Sequence, residues 1–272
     1  MRILIFKTFV FFLVFAFVNI SALSQIKIGG SYDLAAICKD GIVIAADSRG
    51  TFLQKDAVMA YFDTVQKVFP IKNCIVSVMG LIALNNRFIS NYLKEFELTL
   101  PNNLTPDTLL MRLYLFFKQK YPAVMNDFAR LHIICAGYKS AHANLCALDH
   151  GVRMTCVTDT ATMSGDSLSQ FKKYTREFCA SKSCKYVGQL MEKAIRNYIK
   201  KYRKGNEIGG PIMIIKISRA GNIEWIENKP TKSNWETAND FMKDFLNHKV
   251  TINFLSDDYK KIIYKTYNLP MK

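Results

Sequence analysis

The strongest constraint on this chain is a pair of short apolar runs joined by a tight polar break: residues 34–38 (Leu-Ala-Ala-Ile-Cys), then Lys39-Asp40-Gly41, then 42–46 (Ile-Val-Ile-Ala-Ala). Apolar runs this short suit strands covered on both faces, and an Asp-Gly step between them is hairpin chemistry, its glycine free to take positive φ. The arms begin at Gly29-Gly30-Ser31 and end at Asp47-Ser48-Arg49, so a hydroxyl and a carboxylate meet at the open end. Lys67, in Val65-Gln66-Lys67-Val68, follows closely enough to share that site. Small apolar arms tipped with polar groups describe the floor of a functional site.

The chemistry follows from the residue types. A serine hydroxyl is a poor nucleophile without a base in hydrogen-bond reach, and one arrangement uses the residue's own α-amine once the preceding chain is removed. That amine titrates near neutrality, which suits a general base. A nearby lysine ammonium favours the neutral amine and the developing alkoxide, and an aspartate keeps the lysine charged and oriented. The expected roles are Ser31 as nucleophile and base, Lys67 as electrostatic activator and Asp47 as its partner. The alternative reading makes Ser31 a serine at the start of a strand and Asp47 a turn carboxylate; each is commonplace alone, and only the set is unusual.

The run 31–51 (Ser-Tyr-Asp-Leu-Ala-Ala-Ile-Cys-Lys-Asp-Gly-Ile-Val-Ile-Ala-Ala-Asp-Ser-Arg-Gly-Thr) resembles the start of a mature proteasome β subunit or of its bacterial ring-protease relative. In that N-terminal nucleophile (Ntn) hydrolase family a Gly-Thr bond cleaves itself and the freed threonine attacks substrate. Sixteen residues back from Asp47, the family's spacing, lies Ser31, preceded by Gly30. The resemblance therefore implies autocleavage between Gly30 and Ser31, with serine in place of threonine. It implies an α+β fold, the four-layer αββα sandwich. It also implies an oxyanion-hole N–H at Gly80, after Cys74-Ile-Val-Ser-Val-Met, which as a glycine opening a helix is a sensible donor. Ser164, in Met163-Ser164-Gly165-Asp166-Ser167, matches a serine that holds the α-amine, although Ser-Gly-Asp-Ser is also an ordinary helix start. Thr51, Val65 and Val78 align with substrate-binding positions, and an apolar neck hints at hydrophobic side chains beside the cut bond. Arg49, Gly209 and Gly210 support the site. The segment 51–64 is a few residues longer than the family's, leaving Lys55 as a rival to Lys67. The family's aspartate and serine just before the final glycines are replaced here by Gly205 and Ile208, or by Asn206 and Gly209.

The chain divides into four segments. Residues 1–24 read as a signal peptide: Arg2 and Lys7, an apolar core over 8–18, then Ala22 and Ser24 as small residues for a peptidase. That core is short for a membrane span; an uncleaved anchor is the alternative. Residues 25–30 form a short propeptide, 31–227 the Ntn hydrolase domain and 228–272 a C-terminal extension, an assembly arm or a lid. Helical spacing of apolar residues predicts helices over 81–96 and 106–121, then strands over 131–135, 142–148 and 152–157, helices over 167–178 and 185–203, and closing strands over 212–217 and 223–226; 236–246 has a helical pattern. Among the seven cysteines, Cys179 and Cys184 flank a short polar loop and are the expected disulfide, while Cys38, Cys74, Cys135, Cys146 and Cys156 fall in apolar runs and read as core residues. The scattered His132, His142, His150 and His248 give no zinc spacing, so neither metal nor cofactor is expected.

A net charge of +15 raises nucleic-acid binding, but the cations are dispersed and no recognised module is present. The expectation is an exported (secreted or periplasmic), self-processing peptidase or amidohydrolase acting on a peptide or amide, a possible homo-oligomer without nucleic acid or a stable membrane anchor. The rival is a proteasome-like scaffold that binds peptides without cutting them, as the family's noncatalytic subunits do.

Overall fold

The expected hairpin forms as β2 (Asp33–Cys38) and β3 (Gly41–Ala46), with Cys38 opposite Gly41 at the turn. The structure is a computed structural model that describes residues 26–55, 57–149, 151, 153–159, 162–164, 176–201, 207–230 and 235–270. The expected signal peptide (1–24), Gln25, His150, the Gly165-Asp166 step, most of the helix expected over 167–178, and Gly205 and Asn206 lie outside the described residues. β2 and β3 are central to an antiparallel sheet ordered β13 (Thr162–Ser164), β2, β3, β14 (Met213–Ser218), β15 (Ile223–Glu227).

A second antiparallel sheet runs β12 (Arg153–Thr158), β11 (His142–Asp149), β10 (His132–Lys139), β7 (Cys74–Met79), β6 (Val68–Ile71). Side chains alternate faces along a strand. Ala35, Ile37, Ile42, Ile44 and Ile215 therefore face the second sheet and pack with its Val68, Ile75, Ile134 and Leu145. The opposite face of the first sheet, with Leu34, Ala36, Val43 and Ile214, packs on Val187, Met191 and Ile195 of the helix over Cys184–Lys201. The outer face of the second sheet, with Val76, Val78, Ile133 and Leu148, packs on α1 (Ile89–Leu98) and α2 (Pro106–Lys120) through Tyr92, Phe96, Leu109, Leu113 and Phe117. With both faces of both sheets covered, their inner strands have no polar alternation to show.

Two local expectations change. The helix expected over 81–96 begins only at Ile89, because Asn85 and Asn86 take positive φ and turn a two-residue hairpin, β8 (Ala83–Leu84) with β9 (Arg87–Phe88). The segment 51–64, expected to be a loose connection, is mostly a hairpin of β4 (Gly50–Gln54) and β5 (Ala57–Phe62), turning at Lys55. These strands belong to a third sheet ordered β1 (Lys27–Gly29), β4, β5, β16 (Asn253–Phe254). The leader segment before Ser31 is thus one edge of a sheet and the C-terminal extension the other. The extension also supplies the helices Ala238–Leu246, with a capping box between Thr237 and Asp240, and Asp257–Thr266. Its Phe241, Met242 and Ile263 share one apolar cluster with Ile26, Ile28, Phe52 and Phe62. No helix among the described residues is long and apolar enough to cross a membrane.

The cysteine pairing is a correction. Cys146 and Cys156 form the disulfide, while Cys179 and Cys184 are free and buried beside the first sheet. Cys146 and Cys156 face each other across β11 and β12 with Cα atoms 4.1 Å apart, a separation that only strand register creates. Closing a loop of this size should stabilise the fold by about 2–3 kcal/mol. Cys156→Ser, or reductant, should lower the urea midpoint accordingly, and Cys179→Ser should leave the response to reductant intact.

Candidate active site

The site is built around the Asp47 carboxylate, which is wholly buried where β3 ends. Its Oδ1 accepts the Tyr32 N–H and the Lys67 ammonium, both at 2.8 Å. Its Oδ2 accepts the N–H groups of Arg49 at 3.1 Å and Gly209 at 3.0 Å. Four donors on one desolvated carboxylate compensate its burial, since an ionised group without partners would cost several kcal/mol in the interior. Those donors come from the start of β2, from the turn after β3, from the residue before β6 and from the loop ahead of β14, so one side chain ties four segments together.

Lys67 is 1% exposed, and its burial pushes the ammonium below its usual value while the adjacent Asp47 charge opposes that shift. The rival Lys55 is an exposed turn residue, so the structure brings Lys67 and not Lys55 to Asp47. A second carboxylate joins them. Asp33, 1% exposed on β2, accepts the Ser77 hydroxyl at 2.5 Å and adds its field to that of Asp47 on Lys67. Sequence reasoning passed over Asp33; its signal was a charge at the head of an otherwise apolar strand.

Ser31, next to Tyr32, donates its hydroxyl to the Val78 carbonyl at 3.4 Å, and the Val78 N–H is held by the Lys67 carbonyl at 2.9 Å. The hydroxyl thus lies against β7, whose Val78 is bonded to the Lys67 backbone. Thr51 reaches the leader: its hydroxyl donates to the Gly29 carbonyl at 2.8 Å. Val65 is buried beneath Gly50, bonds backbone to backbone with Ser48 and belongs to the apolar cluster that holds Ile26 and Ile28. Gly80 has φ +106° and precedes a β-bridge from Leu81 to Gly29, eight residues short of the first residue before the helix at Ile89; the expected helix-opening role is replaced by a turn beside the leader. Ser164 pairs through β13 with Leu34, three residues from Ser31.

Arg49, Gly209 and Gly210 act together. The Arg49 guanidinium chelates Asp63 at 2.6 and 2.9 Å and stacks on the Tyr61 ring at 3.8 Å. A Cβ on Gly209 would come within 2.4 Å of that guanidinium carbon, so a side chain there would have to push Arg49 off Asp63. Gly210, at φ +73°, turns the chain away toward β14.

Asp47→Asn should cost about 3–5 kcal/mol in urea unfolding, because it removes the carboxylate bonded to the buried Lys67 ammonium and leaves only the field of Asp33 and Asp63 to oppose its desolvation. Adding Lys67→Met should recover part of that loss, a non-additivity that a double-mutant cycle measures directly.

No known family model matches this sequence and no curated protein resembles it. Among solved structures the fold is similar to that of a Gly-1 mutant of Anbu from Hyphomicrobium sp. strain MC1, with a TM-score of 0.55 at 13% identity. The match covers 81% of this chain and 96% of the other. The arrangement of sheets around Asp47 is therefore a proteasome-like fold, shared with Anbu at the level of architecture.

Proposed function

We propose that this chain is a self-processing hydrolase of the N-terminal nucleophile class, an exported peptidase or amidohydrolase in an αββα sandwich that uses Ser31. The observation that carries the reading is the shared Oδ1 of Asp47. It binds both the buried Lys67 ammonium and the N–H of Tyr32, the residue after Ser31, so the lysine and the backbone that carries the hydroxyl share one anchor. In the first turnover the Ser31 Oγ attacks the Gly30 carbonyl carbon. The C–N bond breaks, the proton of the hydroxyl ends on the departing nitrogen, and an ester joins Gly30 to Ser31. Water then cleaves the ester, leaving Gly30 with a carboxylate and Ser31 with a free α-amine. In later turnovers that amine takes the hydroxyl proton, and Lys67 holds the amine neutral and stabilises the alkoxide. Gly80 and Ser164 are assigned the oxyanion and amine-holding roles on the strength of the motif. The charged start and apolar core within residues 1–24 support export.

A scaffold reading is favoured by a different observation: Ile26 and Ile28 of the uncut leader are buried among residues of the C-terminal extension, as in a permanent part of the core. N-terminal sequencing of the purified protein separates the two. A chain beginning at Ser31, lost in Ser31→Ala, is the expected outcome; an intact leader in both proteins would sink the hydrolase.

The Lys67 shift gives a second test. Its folded pKa lies below the unfolded value of 10.5, so between the two the unfolded chain holds a proton that the folded chain has lost. The lysine's contribution to stability therefore rises with pH across that window. Activity needs the ammonium and should fall over the same window, below pH 10.5. Paired pH profiles of peptide hydrolysis and of urea midpoint, the latter against Lys67→Met, should move in opposite directions.

A further inference from the structure

The leader strand lies in a groove whose walls are specific about what they hold. β1 pairs with β4, Gly29 opposite Thr51 and Ile28 opposite Phe52, and on its other side the Ile28 carbonyl accepts the Ile82 N–H at 2.8 Å. An extended backbone is thus bonded along both edges and ends at the Gly30–Ser31 bond. The first residue before that bond, Gly30, has φ +92°, and a Cβ there would lie 2.6 Å from the Glu207 carbonyl oxygen and 2.9 Å from the Thr51 hydroxyl. Backbone cannot yield as a side-chain tip can, so the position rejects every side chain. At the second, Gly29, a Cβ would sit 3.0 Å from the Gly80 carbonyl oxygen and 3.3 Å from Leu53.

The neighbouring apolar crevice, between Val65, Ile82, Phe88 and Trp235, encloses about 10 Å³, room for no more than one water. The third residue, Ile28, is 2% exposed in the apolar cluster built from β4, β5 and the C-terminal extension. The fourth, Lys27, pairs with Asp127 at 2.8 Å. Beside this strand a cleft of about 690 Å³ is lined on one side by Ala238, Ile262 and Tyr267, so the extension builds one wall of the groove within the same chain.

We propose that this groove, once the leader has left it, is the acyl-side substrate cleft, and that it selects extended peptides carrying a basic residue, an aliphatic residue and two glycines ahead of the cut bond. The leader is the first such substrate, and the C-terminal extension is the wall that recognises it. This rests on the hydrolase reading and names its substrate class.

The test uses the self-processed protein and p-nitroanilides of Ile-Lys-Ile-Gly-Gly, Ile-Lys-Ile-Gly-Leu, Ile-Lys-Ile-Leu-Gly and Ile-Glu-Ile-Gly-Gly. Ile-Lys-Ile-Gly-Leu should lose at least about a hundredfold in kcat/KM, as expected where a backbone atom blocks the side chain, and Ile-Lys-Ile-Leu-Gly, whose contacts are tight rather than closed, about tenfold. The glutamate peptide should lose about fivefold, the modest effect of a partly exposed ion pair. Asp127→Lys should invert that charge preference while leaving the glycine preference in place. In the full chain Gly29→Leu should slow self-processing, with circular dichroism confirming that the variant is folded. If the mature chain begins at Ser31 and all four peptides are cleaved alike, the cleft assignment falls and the hydrolase stands. If no chain beginning at Ser31 forms and no peptide is cleaved, both fall.

Discussion

The structure depends on one carboxylate held out of contact with water by four hydrogen-bond donors. Asp47 has no exposure, and the four segments that meet at it are tied by its side chain as well as by their sheet ladders. Hydrophobic layers set how the two sheets face each other, but they are tolerant of sliding. Four directional bonds to one fixed side chain are not. The same charge that registers the loops also opposes the desolvation of Lys67, so the element that orders the site electrostatically is the one that orders it sterically. Asp33, anchored by Ser77, reinforces this from the next strand.

Around that point the architecture is a set of covered surfaces. Helices shield the outer faces of both principal sheets, and the third sheet is roofed by the C-terminal extension. The aromatic contacts of Phe241 with Phe62 at 4.3 Å and with Phe52 at 6.1 Å lock the extension to the β4–β5 hairpin. Arg87 adds a polar clasp, reaching Glu95 on α1 at 3.0 Å and Glu236 at the head of the extension at 2.5 Å. The extension is integral to the leader's surroundings and no loose appendage.

Much of this was legible in the residues. The apolar runs on either side of Lys39-Asp40-Gly41 specify a hairpin covered on both faces, and the spacing from Ser31 to Asp47 brings two polar groups to one end of it. What sequence spacing could not carry was partnership across strands. Cys146 and Cys156 are bonded because β11 and β12 are in a particular register, while the polar loop between Cys179 and Cys184 suggested a nearer pair. The helix start was misplaced for a local reason: apolar periodicity continues through 81–88, but two successive asparagines in the left-handed region break it. Asp33 escaped notice because its meaning comes from Ser77 and Lys67, residues separated from it by more than thirty positions and joined only in three dimensions.

The third sheet has a consequence of its own. With β1 in place, β4 is an interior strand, and β16 protects the far side of β5. Withdrawing three residues, Lys27–Gly29, turns β4 into a bare border on which the backbone groups that had faced β1 are left without mates. A molecule in that condition is adhesive, and any passing extended chain, including a second copy, competes for the vacancy. Keeping it unclogged then falls to the narrowness of the slot, which admits very few sequences, and to the surplus of positive charge that holds copies apart.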